Sequence, residues 1–148
     1  MTNTGSILQK LLITIIVYEM KKTENLYLSE KELDKLFEEG LKLYRSGDFF
    51  MAHEIWEDMW HNKNFTDRKF IQGLIQLSAS FYKIQTGNIR GARSLLEKSK
   101  NKFEEYKGIH RNINVDQLKT ELNIIGKKYN SIKITKDFSL NEVPELKT

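Results

Sequence analysis

Cysteine is absent from this chain, and proline occurs only once, at Pro144. The lack of cysteine excludes a scaffold held by disulfides, a zinc site with thiolate ligands and thiol catalysis. It fits a reducing compartment, and we therefore expect a cytoplasmic protein. Since the single proline lies near the end of the sequence, no proline interrupts a helical pattern before the last residues.

The sequence also lacks a transmembrane segment, because its apolar run 11–18 is shorter than the ~20 residues that cross a bilayer. Five aliphatic residues near the N-terminus follow a helical period: Ile7, Leu8, Leu11, Leu12 and Ile15. We expect a helix that packs on the domain or on a second copy, which would make the protein a homo-oligomer. Alternatively, the native chain starts at Met20 and the first nineteen residues are an upstream extension.

A strong net charge is missing too, since 24 Lys and Arg face 20 Asp and Glu. The segment 29–60 is acidic and the segment 83–111 is basic, a polarity that could attract nucleic acid. Acidic residues interrupt the basic segment and no nucleic-acid motif appears, so we expect two solvated helix faces and no nucleic-acid partner. The basic residues in question are Arg90, Arg93, Lys98, Lys100 and Lys102.

Helical periodicity dominates the chain, whose length indicates a single domain. We predict an N-terminal extension over 1–28, which could form a helix, a helical domain over 29–129 and a tail over 130–148. Within the domain, helices are predicted over about 30–45, 48–61, 67–85, 89–106 and 114–129. Their predicted N-caps are Ser29 (with Glu32 completing a capping box), Asp48, Thr66, Asn88 and either Asn114 or Asp116.

A weak internal repeat relates two of these helix starts. The pattern Gly47-Asp48-x-x-x-Ala52 recurs forty residues later as Gly87-Asn88-x-x-x-Ala92. In each copy Gly ends one helix, Asp or Asn caps the next, and a small Ala allows two helices to approach closely. The sequence therefore predicts an all-α fold of about five helices, stacked as antiparallel hairpins in a bundle like that of tetratricopeptide repeats.

One helix carries polar side chains among its core residues. In the predicted helix 48–61, at 100° per residue, His53 and Glu57 fall within the sector of large apolar side chains. His53, Glu57 and Trp60 are spaced i, i+4 and i+7 and so form one stripe. Burying an imidazole or a carboxylate without a partner costs roughly 1–3 kcal/mol. His53 and Glu57 must therefore bond to each other, to a polar group on another helix or to a metal ion.

His53 and Glu57 are therefore candidate ligands of a divalent metal ion whose identity the sequence leaves open. Two ligands are too few, so Glu54, Gln72 or Gln76 would have to support the site. A zinc-protease helix carries a second histidine where this chain has Glu57, and that class is excluded. If the protein is an enzyme, metal-assisted hydrolysis is the natural class of reaction.

Other interpretations of the pair remain. His53 and Glu57 could be a structural contact packed beneath Trp56 and Trp60, or Glu57 could orient His53 as a general base. The chain could instead be a non-enzymatic adaptor, because tandem helical hairpins commonly present a groove to a protein or peptide.

Three ordered blocks resemble the bacterial and archaeal family numbered 309 among the domains of unknown function. They are residues 47–60 (GDFFMAHEIWEDMW), 70–77 (FIQGLIQL) and 87–98 (GNIRGARSLLEK), and the resemblance covers about Leu33 to Tyr106. The family's hallmark, His-x-x-x-Glu-x-x-Trp, corresponds to His53, Glu57 and Trp60. The resemblance implies an all-α helical-hairpin fold and suggests metal binding at this motif, but it implies no reaction.

Overall fold

Five helices between residues 30 and 131 follow one another, and each packs against the next, in a computed structural model that describes residues 7–13, 15–16, 28–62 and 65–148. They are α1 (Glu30–Arg45), α2 (Phe49–His61), α3 (Arg68–Gln85), α4 (Ile89–Phe103) and α5 (Val115–Ser131). The predicted all-α bundle is confirmed. The first helix begins at the predicted capping box, because Ser29 Oγ accepts the Glu32 N–H and Glu32 accepts the Ser29 N–H.

The two turns that the repeat predicts have the same geometry. Gly47 and Gly87 have φ angles of +83° and +82°, in the left-handed region that favours glycine. Asp48 and Asn88 each accept the backbone N–H three residues further on through Oδ1. Four residues after each cap, the alanine side chain is fully buried. The hairpins α1–α2 and α3–α4 are therefore built on one local pattern.

The core between α1, α2 and α3 is organised around Trp56, which is completely buried. Its indole Nε1 donates to the carbonyl oxygen of Phe37 at 3.2 Å. The indole ring lies so close to Gly40 that a Cβ there would come within 2.1 Å of Nε1. The surrounding rings that complete this layer are Phe37, Tyr44, Phe49 and Phe81.

A small β-hairpin between α4 and α5 was not predicted. Strands β1 (Ile109–His110) and β2 (Ile113–Asn114) pair antiparallel, with Ile109 opposite Asn114 and His110 opposite Ile113. The turn residues Arg111 and Asn112 both have positive φ, +48° and +61°, as a type I′ turn requires. As a result α4 ends at Phe103, earlier than the sequence indicated.

The start of α3 also differs from the prediction. Its N-cap is Asp67 and not Thr66, and the Asp67 side chain makes no capping hydrogen bond. The reason is that this carboxylate instead contacts His110 and Arg111 of the β-hairpin.

The segment after α5 runs back over the bundle through two 3₁₀ turns, Thr135–Asp137 and Leu140–Glu142. Backbone oxygens hold it in place: Tyr44 Oη donates to Pro144 O at 2.7 Å, and Arg45 Nη2 donates to Leu146 O at 2.6 Å. The side chains of Phe138 and Leu146 are buried, whereas Ile134 is exposed. The last residues therefore form a strap across the ends of α1 and α5.

Near the N-terminus, residues 7–13 and 15–16 are helical. Lys10 forms an ion pair with Asp48, and Ile13 packs against the core. Most of the predicted extension, including residues 1–6 and 17–27, lies outside the described residues, as do residues 63–64 of the predicted turn. No helix in the described part of the chain is long and apolar enough to cross a membrane.

Candidate metal centre

The candidate site lies on the exposed edge of α2, where two carboxylates flank one imidazole. His53 Nδ1 lies 3.3 Å from Glu54 Oε1, and His53 Nε2 lies 3.3 Å from Glu57 Oε2. One ligand atom from each of the three residues falls within 4.8 Å of the others. The structure thus brings together both predicted ligands and one of the predicted supporting residues.

The site is less buried than the helical periodicity indicated. The side chains of His53, Glu54 and Glu57 are 25%, 46% and 43% exposed, while Trp56 and Met59 are completely buried. The prediction that His53 and Glu57 face the core is therefore wrong, because both side chains lie at the edge of the buried face of α2. Since both carboxylates reach water, the cost of burial does not by itself demand a ligand here.

The electrostatics of these three side chains provide a different reason to expect a ligand. A neutral imidazole has one N–H and one lone pair, so it can donate a hydrogen bond to only one of the two carboxylates. The other carboxylate then faces a lone pair. A cation held among the three side chains would remove this mismatch.

Ring contacts fix how α3 lies beside this edge of α2. Phe50, one turn before His53, has its ring centroid 5.1 Å from that of Tyr82. At the other end, the Arg68 guanidinium lies 4.5 Å from the centre of the Trp60 ring. The two helices are therefore antiparallel, with the stripe from Phe50 to Trp60 facing the stripe from Tyr82 to Arg68.

The remaining supporting residues are not joined to the three clustered side chains. Within the described residues, no hydrogen bond or ion pair links Gln72 or Gln76 to His53 or Glu57. Both glutamines are half-buried on α3. The Gln76 Oε1 and Trp60 Nε1 atoms are buried and have no hydrogen-bond partner in the described part of the chain. Buried polar atoms normally have a hydrogen-bond partner, so a polar ligand that reached these two atoms would stabilise the protein.

A second polar cluster, which the sequence reasoning missed, joins the start of α3 to the β-hairpin. Asp67 accepts hydrogen bonds from His110 Nε2 at 2.8 Å and from Arg111 at 2.5 and 2.9 Å. Partial burial raises the pKa of Asp67, but the hydrogen bonds from Arg111 and His110 outweigh it and hold this pKa below its usual value. The guanidinium also lies 4.8 Å from the centre of the Phe37 ring.

Little in the sequence marked this cluster. Asp67 resembled an ordinary residue at a helix start, and His110 lies 43 residues away from it. The one usable signal was the two-residue spacing between Ile109-His110 and Ile113-Asn114, which is typical of a tight hairpin. Every polar contact of Asp67 in the described region is internal, so the cluster fastens the hairpin to α3.

The basic segment is also partly structural. Arg93 donates to the carbonyl oxygens of Tyr129 and Ile132, at 2.7 to 2.9 Å. Lys100 lies 3.3 Å from Glu97. Lys100 is thus paired with a carboxylate, and several donors of Arg93 are already occupied by backbone oxygens, so these two side chains offer less to an anion than free ones would.

Comparison with known families locates the site within a recognised domain. Residues 37–95 match the family model described as a domain of unknown function, DUF309. That range contains all of α2 and α3, and with them the three clustered side chains. No curated protein matches the chain.

Proposed function

We propose from the geometry of the site that the chain binds a divalent metal ion through His53, Glu54 and Glu57. The family model that residues 37–95 match, a domain of unknown function, names no reaction. The observation that carries the proposal is the convergence of three ligand atoms within 4.8 Å on a single helix. The whole site therefore forms when α2 forms.

The chemistry of the ligands limits which ion would bind. One imidazole and two carboxylates suit zinc and the other divalent first-row metals, whereas the absence of thiolates removes the preference for soft ions. His53 and Glu57 are one helical turn apart and can chelate from one face of α2. Glu54 is the neighbour of His53 along the chain, and it would contribute less, as a third oxygen ligand.

Three protein ligands would leave coordination positions for water or a substrate. The partly exposed side chains give such a molecule access from solvent. A divalent ion lowers the pKa of a bound water, so metal-assisted hydrolysis is the class of reaction that this site would support. The buried atoms Trp60 Nε1, on α2, and Gln76 Oε1, on the adjacent α3, have no hydrogen-bond partner in the described part of the chain, and a bound molecule that reached them would supply one.

Titration calorimetry with zinc and with manganese tests the proposal directly. The His53→Ala and Glu57→Ala variants should lose binding, and Glu54→Ala should weaken it. His61→Ala and Glu38→Ala are matched controls, because both side chains are exposed and lie outside the group. Metal binding that persists unchanged in both His53→Ala and Glu57→Ala would contradict a site at this position.

A second candidate function is a helical-hairpin adaptor for a protein or peptide. A cleft of about 780 Å³ lies between the α1–α2 turn and the C-terminal strap, next to Phe49, Gln85 and Pro144. The contacts by which Tyr44 and Arg45 hold the carbonyl oxygens of the strap support this candidate. Protein purified without metal, with a melting temperature that neither added zinc nor a chelator shifts, would favour the adaptor.

A further inference from the structure

The N-terminal helical segment presents its apolar side to solvent. Six of its large aliphatic side chains are 48% to 62% exposed. They are Ile7, Leu8, Leu11, Leu12, Ile15 and Ile16. A helix at the surface of a monomer normally turns such residues inward, so this orientation needs a reason.

The contacts of the segment define which side faces the body of the protein. Lys10 reaches the Oδ2 atom of Asp48, and Ile13 packs against the core. At 100° per residue, the six exposed side chains centre about 180° from the mean direction of Lys10 and Ile13. The one cation of the segment therefore points toward the domain, and an arc of Ile and Leu alone points away from it.

We propose that this arc is an interface with a second copy of the chain. Side chains 7, 11 and 15 form one ridge at i, i+4 spacing, and side chains 8, 12 and 16 form the next. Two ridges of this spacing can pack into the grooves of an identical helix. The arc carries no charge, so its approach to its own copy meets no repulsion. Such a pairing is isologous and closes after two copies.

The composition of the segment disfavours a membrane as the occupant. A helix that lies on a lipid surface has a polar face rich in Lys and Arg, and it commonly carries Trp or Phe. Residues 7–16 contain a single basic residue, which is paired with Asp48, and no aromatic residue. Within residues 7–16, neither the electrostatic attraction nor the interfacial ring is present.

The exposed area sets the expected strength of the dimer. At roughly 100 Å² of apolar surface for an exposed Leu or Ile side chain, six half-exposed side chains offer about 300 Å² on each copy. A patch of this size is comparable to the largest apolar patch of an ordinary monomer, which is often functional. Two copies would bury about 600 Å², below the ~1,200 Å² of stable complexes, so we expect a weak dimer that depends on concentration.

Sedimentation velocity of the full chain over a range of concentrations tests this proposal. The unmodified protein should shift from monomer to dimer as its concentration rises. The double variant Leu8→Glu, Leu12→Glu should remain monomeric, because it places charges at the centre of the arc. The matched control Ile109→Glu, Ile134→Glu changes two equally exposed isoleucines elsewhere and should dimerise as the unmodified chain does. An unmodified chain that stays monomeric throughout, or a dimer that both double variants retain, would overturn the proposal.

Cross-linking gives a second readout that does not depend on charged variants folding. The chain has no cysteine, so a single substitution creates a unique thiol. Under mild oxidation, Leu12→Cys should form a disulfide-linked dimer much faster than Ile134→Cys. Equal rates would contradict the pairing. Pelleting with anionic vesicles tests whether the arc binds a membrane instead. If the protein is monomeric without lipid and binds vesicles, and if Leu8→Glu, Leu12→Glu abolishes that binding, a membrane surface would replace the second copy as the occupant.

Discussion

Asp67, at the start of α3, and Arg111, in the turn of the β-hairpin, form a bidentate ion pair with distances of 2.5 and 2.9 Å. The pair replaces the capping bond that an aspartate in this position would ordinarily make to its own helix. It also holds Arg111 in the left-handed region, at φ +48°, which is costly for a residue with a side chain. A charge-assisted bidentate contact thus stabilises a strained turn.

Replacing Asp67 with Asn should lower the free energy of unfolding by about 2 kcal/mol, because it removes charge-assisted hydrogen bonds to Arg111 and His110. The pKa of Asp67 is lower in the folded protein than its ordinary value near 3.9. Its contribution is therefore complete above about pH 4 and is lost as the pH falls through the folded-state pKa. Urea unfolding of both proteins at several pH values measures this difference.

The difference between unmodified chain and Asp67→Asn should stay constant from neutral pH down to about pH 4 and shrink below it. Asp137→Asn, at an exposed position in a 3₁₀ turn, is the control and should change little at any pH. A difference that did not narrow in acid would mean that the carboxylate charge is not the stabilising group.

Gly40 and Gly126 provide a matched pair of glycine-to-alanine substitutions within helices. At Gly40 a new Cβ would come within 2.1 Å of the Trp56 indole, whereas at Gly126 the nearest side-chain atom would be 3.6 Å away. Alanine improves helix propensity equally at both sites, by about 0.5–1 kcal/mol. Gly40→Ala should nevertheless destabilise the protein by about 1–3 kcal/mol through overpacking, and Gly126→Ala should be neutral or stabilising.

Thermal unfolding of the two variants checks this prediction. If Gly40→Ala were as stable as Gly126→Ala, the close packing of Trp56 on α1 would be wrong.

The helices and their turns were predictable because their signals are local. Ser29 with Glu32, and Gly47 with Asp48, specify a helix start or a turn within a few residues, and the structure has the expected hydrogen bonds at both. The β-hairpin was not predictable in this way, since two strands of two residues are too short to show a period.

The sequence predicted which side chains of the candidate site meet, but not how exposed they are. Spacing alone indicated that His53 and Glu57 would meet on one face of α2, and their nitrogen and oxygen atoms lie 3.3 Å apart. How deeply they are buried depends on where α3 packs, which the spacing within α2 does not determine. The same limit applies to the link between Asp67 and His110, which joins elements 43 residues apart.

Tyr129 should make the protein sensitive to alkali. Burial raises the pKa of its hydroxyl to about 12, and the hydrogen bond with Ser80, at 3.2 Å, lowers it by less. Because the unfolded chain ionises near pH 10, the neutral hydroxyl contributes stability that is complete below about pH 10 and lost as the pH rises toward 12. Tyr129→Phe removes the ionisable group and should flatten the fall in unfolding free energy over this range. An equal fall in both proteins would assign the alkaline loss to other groups, such as Tyr44, whose pKa burial also raises.

Asp48 has two roles that different substitutions separate. Its Oδ1 atom caps α2 by accepting the Met51 N–H, and its Oδ2 atom receives Lys10 from the N-terminal segment. Asp48→Ala removes both contacts and should cost about 1 kcal/mol for the cap. Asp48→Asn keeps a capping oxygen but removes the carboxylate, so stability should fall by less than ~1 kcal/mol, as for an exposed ion pair.

The distinguishing measurement is hydrogen exchange of the amides in residues 7–13, followed by mass spectrometry. Both Asp48 variants should exchange faster there than the unmodified chain, because the segment loses the contact of Lys10 with the domain. Asn88→Ala, which removes the equivalent cap of α4 and no ion pair, should cost about 1 kcal/mol for that cap but leave exchange in 7–13 unchanged. Equal protection of 7–13 in all four proteins would mean that Ile13, and not the ion pair, holds the segment against the domain.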